Sequence, residues 1–210
     1  MNNTKNVVVL ASGGGTNLQA IIDAEKRGEL GCGKISCVIA SKADAYALTR
    51  AKDNGIKTCT LIRKDYDDVD KYSEDMRDIL LEEKADVIVY AGFMTILGNA
   101  VCDTFPNKMV NVHPALIPSF CGKGYYGLHV HEEALKKGVK VSGATVHFVT
   151  AECDAGPIIL QKAVEVLDDD TPETLQKRIM EQAEWKILPK AVQLLCDEKI
   201  EIKDGKTYIK

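Results

Sequence analysis

The chain contains 210 residues, 45% of them hydrophobic, which is enough for one domain with a sizeable buried core. Its net charge of −4 and isoelectric point of about 5.6 argue against a nucleic-acid-binding domain or a protein that binds anionic membranes. No apolar run approaches the roughly 18–20 residues that span a bilayer, and the polar start from Met1 to Lys5 does not resemble a signal peptide. We therefore expect a cytoplasmic protein.

Short apolar strands alternate with helical segments over the first half of the chain. The predicted strands cover residues 7–10, 35–40, 58–62, 86–91 and 109–112, and the predicted helices are one after Asn17 that ends near Gly28 and three over 43–54, 69–84 and 96–105. The strands lack period-two alternation, so we expect both faces of their sheet to be buried under helices. This pattern predicts an α/β fold, a Rossmann-like mostly parallel sheet with helices on both faces.

The second half has a different rhythm. Its predicted elements are, in order, an irregular loop (115–127), a helix (128–137), two strands (142–150 and 158–166), a long helix from Thr171 to about Leu195, and a small hairpin (200–202 and 207–209). Alternation in the two strands indicates antiparallel pairing at the sheet edge. Thr171-Pro172-Glu173 combines a capping residue, an early proline and an early acid, which is typical of a helix start. We expect a single domain over residues 1–210.

A glycine-rich turn, Ser12-Gly13-Gly14-Gly15-Thr16-Asn17, lies directly between the first strand and the first helix. Backbone N–H groups at such a helix N-terminus can bind a phosphate, and Thr16 and Asn17 add side-chain donors. The turn is neither a dinucleotide fingerprint nor a Walker A loop. Tight packing alone would also explain the glycines, but open α/β sheets bind ligands at this edge, which favours an anion site.

Asn111 and His113 stand at the end of the fifth strand, on the same edge, and Pro114 restrains the backbone after them. Asn is a neutral donor for a developing oxyanion, and His has the ordinary pKa nearest neutrality. Asp154 lies in a Gly/Pro turn, where an exposed Asp is the default. If it approached His113, it would favour the charged imidazolium. Sequence spacing does not bring the two together.

The other polar candidates have plainer interpretations. His147 follows the alternation of its strand and is predicted to be structural, while His129 and His131 do not share a helix face. The acidic run 168–170 is most simply a solvated approach to a helix. Tyr125-Tyr126 either close over a ligand or pack on the surface. The seven cysteines form no C-x-x-C pair and no cluster at metal-ligand spacing, which predicts reduced structural thiols and no metal.

Several segments together resemble one enzyme family, the phosphoribosylglycinamide formyltransferases, across roughly residues 6–195. The matching segments are Ser12 to Ile21, Ala91-Gly92-Phe93-Met94, Asn111-Val112-His113-Pro114 with Pro118, Gly143 to Val149, and Asp154 to Ile159. The Asn-x-His-Pro motif with its distant Asp is shared by formyltetrahydrofolate-dependent formyltransferases in general. The glycine-rich loop is the more discriminating match.

The resemblance implies formyl transfer from 10-formyltetrahydrofolate to the amine of 5-phosphoribosylglycinamide, giving formylglycinamide ribonucleotide and tetrahydrofolate in de novo purine (IMP) synthesis. Asn111 would hydrogen-bond the oxyanion of the tetrahedral adduct. His113 would stabilise it as imidazolium and protonate the departing folate nitrogen. Asp154 would raise the pKa of His113 and order a proton-relaying water. No metal takes part in this reaction.

The resemblance also implies where the two small-molecule substrates bind. The ribonucleotide phosphate would be held by Gly15, Thr16 and Asn17, and its amine would be received by Glu184. The folate pocket would be lined by Met94, Thr95, Ile96, Leu97 and Asn111. Residues 1–111 would form the phosphate-binding half, 112–198 the folate-binding and catalytic half, and 199–210 the hairpin. The implied enzyme has no nucleic-acid or membrane partner and is a monomer or homodimer.

Three positions depart from the family pattern. Thr95 stands where many members carry Arg, which would remove a charged contact to the folate. Trp185 stands where His is usual, and the helix before it is one residue longer, which weakens the assignment of Glu184. Residues 119–126 lengthen a loop that is short in many relatives, and this loop is a candidate lid.

Three other functions remain open on the sequence. A formyltetrahydrofolate hydrolase would use the same three residues but usually carries an added N-terminal domain. Transfer to methionyl-tRNA would call for a basic RNA-binding extension. A non-catalytic phosphate-binding module would need only the glycine-rich loop.

Overall fold

The computed structural model describes residues 4–210, so Met1–Asn3 of the polar N-terminal segment lie outside the described residues. The strands are β1 (Lys5–Ala11), β2 (Gly33–Ala40), β3 (Lys57–Thr60), β4 (Val87–Tyr90), β5 (Met109–His113), β6 (Val141–Phe148), β7 (Ile158–Glu165), β8 (Ile200–Lys203) and β9 (Lys206–Ile209). The helices are α1 (Thr16–Lys26), α2 (Tyr46–Asp53), α3 (Val69–Glu82), α4 (Asn99–Thr104), α5 (Leu128–Lys137), α6 (Pro172–Ile179) and α7 (Trp185–Cys196). A π-helical turn, Met180–Glu184, joins α6 to α7.

Within residues 4–210 the first seven strands form one sheet in the order β3-β2-β1-β4-β5-β6-β7. Pairing is parallel from β3 to β5, and β6 is antiparallel to both β5 and β7. The last two strands form a separate hairpin. The predicted Rossmann-like class, with antiparallel edge strands after the parallel region, is confirmed.

Both faces of the sheet are buried, as the missing alternation predicted. Successive residues of a strand point to opposite faces, so Val7 and Val9 pack with α1 and α7 on one side. Val8 and Leu10 pack with α3 and α4 on the other. This double burial fixes the carboxyl ends of the parallel strands, where the polar candidates stand.

Two predicted helices differ from the structure. The helix predicted over 96–105 is restricted to α4, because Gly98 has an extended backbone (ψ −178°) and its N–H donates to Ser73 Oγ (2.8 Å) where the helix begins. The long helix from Thr171 exists, but the π-helical turn interrupts it.

The prediction that the acidic run 168–170 is solvated is wrong for one member. The Asp170 side chain is 1% exposed and forms a bidentate pair with Arg178, with one contact of 2.6 Å. Asp168 is exposed, as predicted, and pairs with Lys140. No helix in the described part of the chain is long and apolar enough to cross a membrane.

Candidate functional site

A cavity of about 450 Å³ opens at the carboxyl ends of the parallel strands and is closed on one side by the 115–127 loop. Its lining includes Asn17, Met94, Thr95, Ile96, Leu97, Asn111, His113, Asp154 and Glu184. Residues predicted for catalysis, for the amine and for the folate thus share one cavity. Gly15 and Thr16 are not among the lining residues and immediately precede Asn17 at the start of α1.

Asn111 and His113 are brought to Asp154 by the turn of β6 back over β5. His113 Nδ1 lies 3.5 Å from Asp154 Oδ2, and both side chains are almost fully buried. Asp154 adopts a left-handed backbone conformation (φ 55°) in the turn between β6 and β7. The exposed-turn default for Asp154 therefore does not apply here.

The surroundings of this pair disfavour the charged form of His113 and favour the charged form of Asp154. Burial lowers the pKa of His113, and this effect exceeds the raising effects of Asp154 and of the Phe120 carbonyl, which accepts a 2.8 Å hydrogen bond from Nε2. The expectation that Asp154 raises the His113 pKa is correct for that one contribution, but the net shift is downward. Burial also acts to raise the pKa of Asp154, yet His147, the Gly122 N–H and His113 hold it at about 2.

His147 is a member of this cluster that sequence reasoning assigned to a structural role. It pairs with Asn111 in the antiparallel register of β5 and β6. Its Nδ1 donates to the Phe148 carbonyl (2.8 Å), which leaves Nε2 to accept a hydrogen bond from Asn111 Nδ2 (3.2 Å). Nε2 also lies 3.5 Å from Asp154 Oδ1. The strand register, had it been known, would have pointed to this residue.

The glycine-rich turn and the π-helical turn meet through one hydrogen bond. Asn17 Nδ2 donates to Glu184 Oε2 (2.7 Å) across 167 positions of sequence. Glu184 is 6% exposed, and burial raises its pKa to about 7, against the lowering effect of Asn17. Asn17 Oδ1 is buried and has no hydrogen-bond partner within residues 4–210.

The shape of the turn explains its glycines only in part. Gly15 has φ 70°, and a Cβ there would lie 2.8 Å from Ala47, so this position requires glycine. A Cβ at Gly13 or Gly14 would meet open space, and both residues are exposed. Packing therefore accounts for one glycine of the three.

The π-helical turn explains the extra residue before Trp185. A π-turn inserts one residue into an α-helix, and such insertions are frequent at functional sites. Here the flanking helices keep Leu175 and Leu188 in the core, while Glu184 faces the cavity. Trp185, one residue on, lines a separate surface groove with Arg27. Glu184 therefore lines the cavity, and its assignment to the substrate amine stays a prediction.

The wall predicted for folate is a loop, not a helix. Met94 and Ile96 expose apolar side chains (51% and 57%), whereas Leu97 is buried and anchors the segment. Thr95 is half-buried between them and contributes no charge.

The longer loop contacts the catalytic candidates directly. Besides the Phe120 carbonyl on His113, the Gly122 N–H donates to Asp154 Oδ2 (2.9 Å). Tyr125 stacks on His129 at 5.9 Å, and Tyr126, 60% exposed, lines the cavity rim. Both tyrosines line the cavity, and their closure over a ligand stays a prediction.

The remaining histidine and the thiols take no part in a metal cluster. His131 is fully buried, and burial with the nearby His113 lowers its pKa to about 4. Among residues 4–210 no group of three His, Cys, Asp or Glu side chains could hold a metal ion. All seven cysteines are free.

The known proteins similar to this chain are mostly named as formyltransferases, and one is named as a deformylase. The sequence profile of the formyl transferase family matches residues 5–192. Phosphoribosylglycinamide formyltransferase of Escherichia coli strain K12 is 38% identical over 97% of this chain and 93% of its own. The crystal structure of glycinamide ribonucleotide transformylase 1 from Symbiobacterium toebii matches with a TM-score of 0.93 at 38% identity, covering 100% of this chain and 95% of that one. A formyltetrahydrofolate deformylase from Pseudomonas syringae matches with a TM-score of 0.87 at 26% identity, covering 99% of this chain and 66% of its own. The chain therefore belongs to the formyl transferase family.

Proposed function

We propose that this protein transfers the formyl group of 10-formyltetrahydrofolate to the amine of 5-phosphoribosylglycinamide in purine synthesis. The observation that carries the proposal is the meeting of Asn111, His113 and Asp154 in one cavity with the buried Glu184. Near-full-length similarity to phosphoribosylglycinamide formyltransferases supports the choice of acceptor.

Charge complementarity supports a position for each end of the ribonucleotide. Its phosphate binds the N–H groups of Gly15, Thr16 and Asn17, because a helix N-terminus carries partial positive charge. Its amine binds beside Glu184 and the unpartnered Asn17 Oδ1. A carboxyl with a pKa of about 7 can accept the extra proton with which an ammonium arrives. This assigns the phosphate to residues 1–111.

The folate occupies the other end of the same cavity. Its pterin lies against the loop from Met94 to Leu97, whose exposed apolar side chains and backbone groups suit a flat, polar-edged ring. Its formyl group then faces Asn111. Residues 112–198 supply the rest of the catalytic machinery.

The chemistry follows from the contacts around Asn111 and His113. The amine attacks the formyl carbon, and the proton that it loses passes through a water held by Asp154 to His113, whose lowered pKa leaves the imidazole neutral and able to accept it. The oxyanion accepts a hydrogen bond from Asn111 and is stabilised by the charge of the imidazolium so formed. His113 then gives this proton to the departing folate nitrogen, and Asp154, whose pKa of about 2 keeps it ionised, favours the charged imidazole until that transfer. No covalent intermediate with the protein is needed.

The test is an assay that separates formyl transfer from hydrolysis. We expect formylglycinamide ribonucleotide to form only when both substrates are present, with little formate. His113→Ala and Asn111→Ala should each lower kcat by about 10²–10³-fold. Formate release without the ribonucleotide would instead identify a hydrolase, like the deformylase that shares this fold. Unchanged turnover in His113→Ala would contradict the proposed catalytic role.

A further inference from the structure

The cavity has an uneven charge distribution. Three acidic side chains line it, Glu152, Asp154 and Glu184, whereas among the described lining residues Lys123 is the one Lys or Arg. Lys123 is exposed, and within residues 4–210 it forms no salt bridge. Its positive charge is therefore available to a ligand of the cavity.

The position of Lys123 is defined by the backbone on its N-terminal side. Gly122 is tied to Asp154 by its N–H, and the Phe120 carbonyl is tied to His113. Gly122 and Gly124 both have left-handed φ values, 90° and 97°, which few other residues tolerate. The ammonium group is thus carried on a turn anchored at one end to the catalytic pair.

The charge on Lys123 matches one part of the proposed substrates. The folate ends in a glutamate with two carboxylates, and Thr95, which lines the same cavity, offers a hydroxyl but no charge. The ribonucleotide phosphate already has the N-terminus of α1 as its binding site. We propose that Lys123 binds the glutamate carboxylates of the folate and thereby selects donors that carry a glutamyl tail. This inference rests on the proposed function.

The expected effect is modest because the pair is exposed. Exposed ion pairs contribute little, so removing the charge should weaken binding of a glutamate-bearing folate by about three- to fivefold. The effect should shrink at about 0.5 M salt, because salt screens exposed charges. Additional glutamates on the tail should increase the loss of affinity that removal of the Lys123 charge causes.

The test is calorimetric binding of tetrahydrofolate and of tetrahydropteroamide, in which an uncharged amide replaces the glutamate, to the wild type, Lys123→Ala and Lys123→Arg. Lys123→Ala should weaken tetrahydrofolate binding and leave tetrahydropteroamide binding unchanged, and Lys123→Arg should bind tetrahydrofolate as the wild type does. Lys137→Ala is the matched control, since Lys137 is an exposed lysine on α5 outside the cavity.

Two results would overturn the proposal. If Lys123→Ala weakened the binding of both ligands equally, Lys123 would act through the shape of the loop. A change only in the KM of phosphoribosylglycinamide would assign Lys123 to the phosphate. Because binding is read directly, either result is distinct from failure of the proposed function, which would appear as no ribonucleotide-dependent transfer by the wild type.

Discussion

At the scale of single residues, two carboxyl groups of the same cavity are driven in opposite directions by their neighbours. Asp154 has an N–H donor and two imidazoles around it, and its pKa is held at about 2. Burial raises the pKa of Glu184 to about 7, because the hydrogen bond from the Asn17 amide offsets only part of that effect. The first stays charged throughout the neutral range, and the second is poised to exchange a proton there. Such a division suits one residue for orienting and the other for receiving an amine.

His147 orients Asn111, and this role leads to a prediction. Because Nε2 of His147 accepts from Asn111 Nδ2, the orientation of the amide is fixed and its second N–H remains free to donate. His147→Ala should lower kcat about tenfold with nearly unchanged KM values, a smaller loss than the roughly 10²–10³-fold loss of a direct donor. Steady-state kinetics of both substrates measures this.

A double-mutant cycle distinguishes positioning from general damage. If His147 acts through Asn111, the double variant His147→Ala with Asn111→Ala should be no slower than Asn111→Ala alone. Additive losses would mean that His147 contributes independently, for example through its 3.5 Å contact with Asp154. Thermal melts of all three variants show whether the fold is retained.

At the scale of elements, local sequence predicted where most helices and strands lie but not the contacts that modify them. The α5 helix has the predicted bounds, because its glycine cap and apolar spacing are local signals. The helix prediction for residues 96–98 is wrong because Gly98 is extended and its N–H donates to Ser73 of α3, a contact that local sequence does not show. The π-helical turn has no local signature either, since the apolar pattern continues through it.

Asp170 stabilises the start of α6, and its removal should be costly. Its carboxylate accepts from Arg178, from the Leu167 N–H (2.8 Å) and from Thr174 Oγ1 (2.8 Å). Asp170→Ala leaves the mostly buried Arg178 without its counter-charge, so we expect a loss of about 2–3 kcal/mol in the free energy of unfolding. Urea denaturation measures it, with Asp168→Ala, an exposed neighbour, expected to match the wild type.

The pair of Asp170 and Arg178 also makes the free energy of unfolding depend on pH. Arg178 lowers the pKa of Asp170 from 3.8 to about 2, so its stabilisation is present above the unfolded value and is lost as the pH falls through the folded one. The stability difference between the wild type and Asp170→Ala should therefore narrow below about pH 4. A difference that stays constant down to about pH 2 would contradict the assignment.

At the scale of the whole molecule, the site depends on one change of strand direction. Pairing is parallel up to β5 and antiparallel from β6, which sets His147 opposite Asn111 and returns the chain to place Asp154 beside His113. The sequence predicted the individual strands, the antiparallel edge and the three catalytic candidates. It did not predict their proximity, because register and long-range contacts such as Asn17 to Glu184 leave no trace in residue spacing.

The burial of Glu184 should also make the stability of the whole domain depend on pH. Its pKa rises from 4.5 in the unfolded chain to about 7 in the folded one, so the folded state holds a proton that the unfolded state has released. Stability from this group is complete below the unfolded pKa and is lost as the pH rises through the folded pKa. Since one pKa unit corresponds to about 1.4 kcal/mol, the total loss should be about 3 kcal/mol.

Glu184→Gln isolates this contribution, because glutamine does not titrate and Asn17 can turn its free Oδ1 toward the new amide. Urea unfolding at a series of pH values should show the wild type losing about 3 kcal/mol relative to Glu184→Gln between about pH 4 and pH 8. Glu181→Gln, an exposed acid of the same π-helical turn, is the matched control and should follow the wild type. A wild-type curve parallel to that of Glu184→Gln would mean that Glu184 is ionised in the folded protein. In that case the carboxylate would already be charged when the substrate amine arrives, and the cavity would hold the amine as a cation.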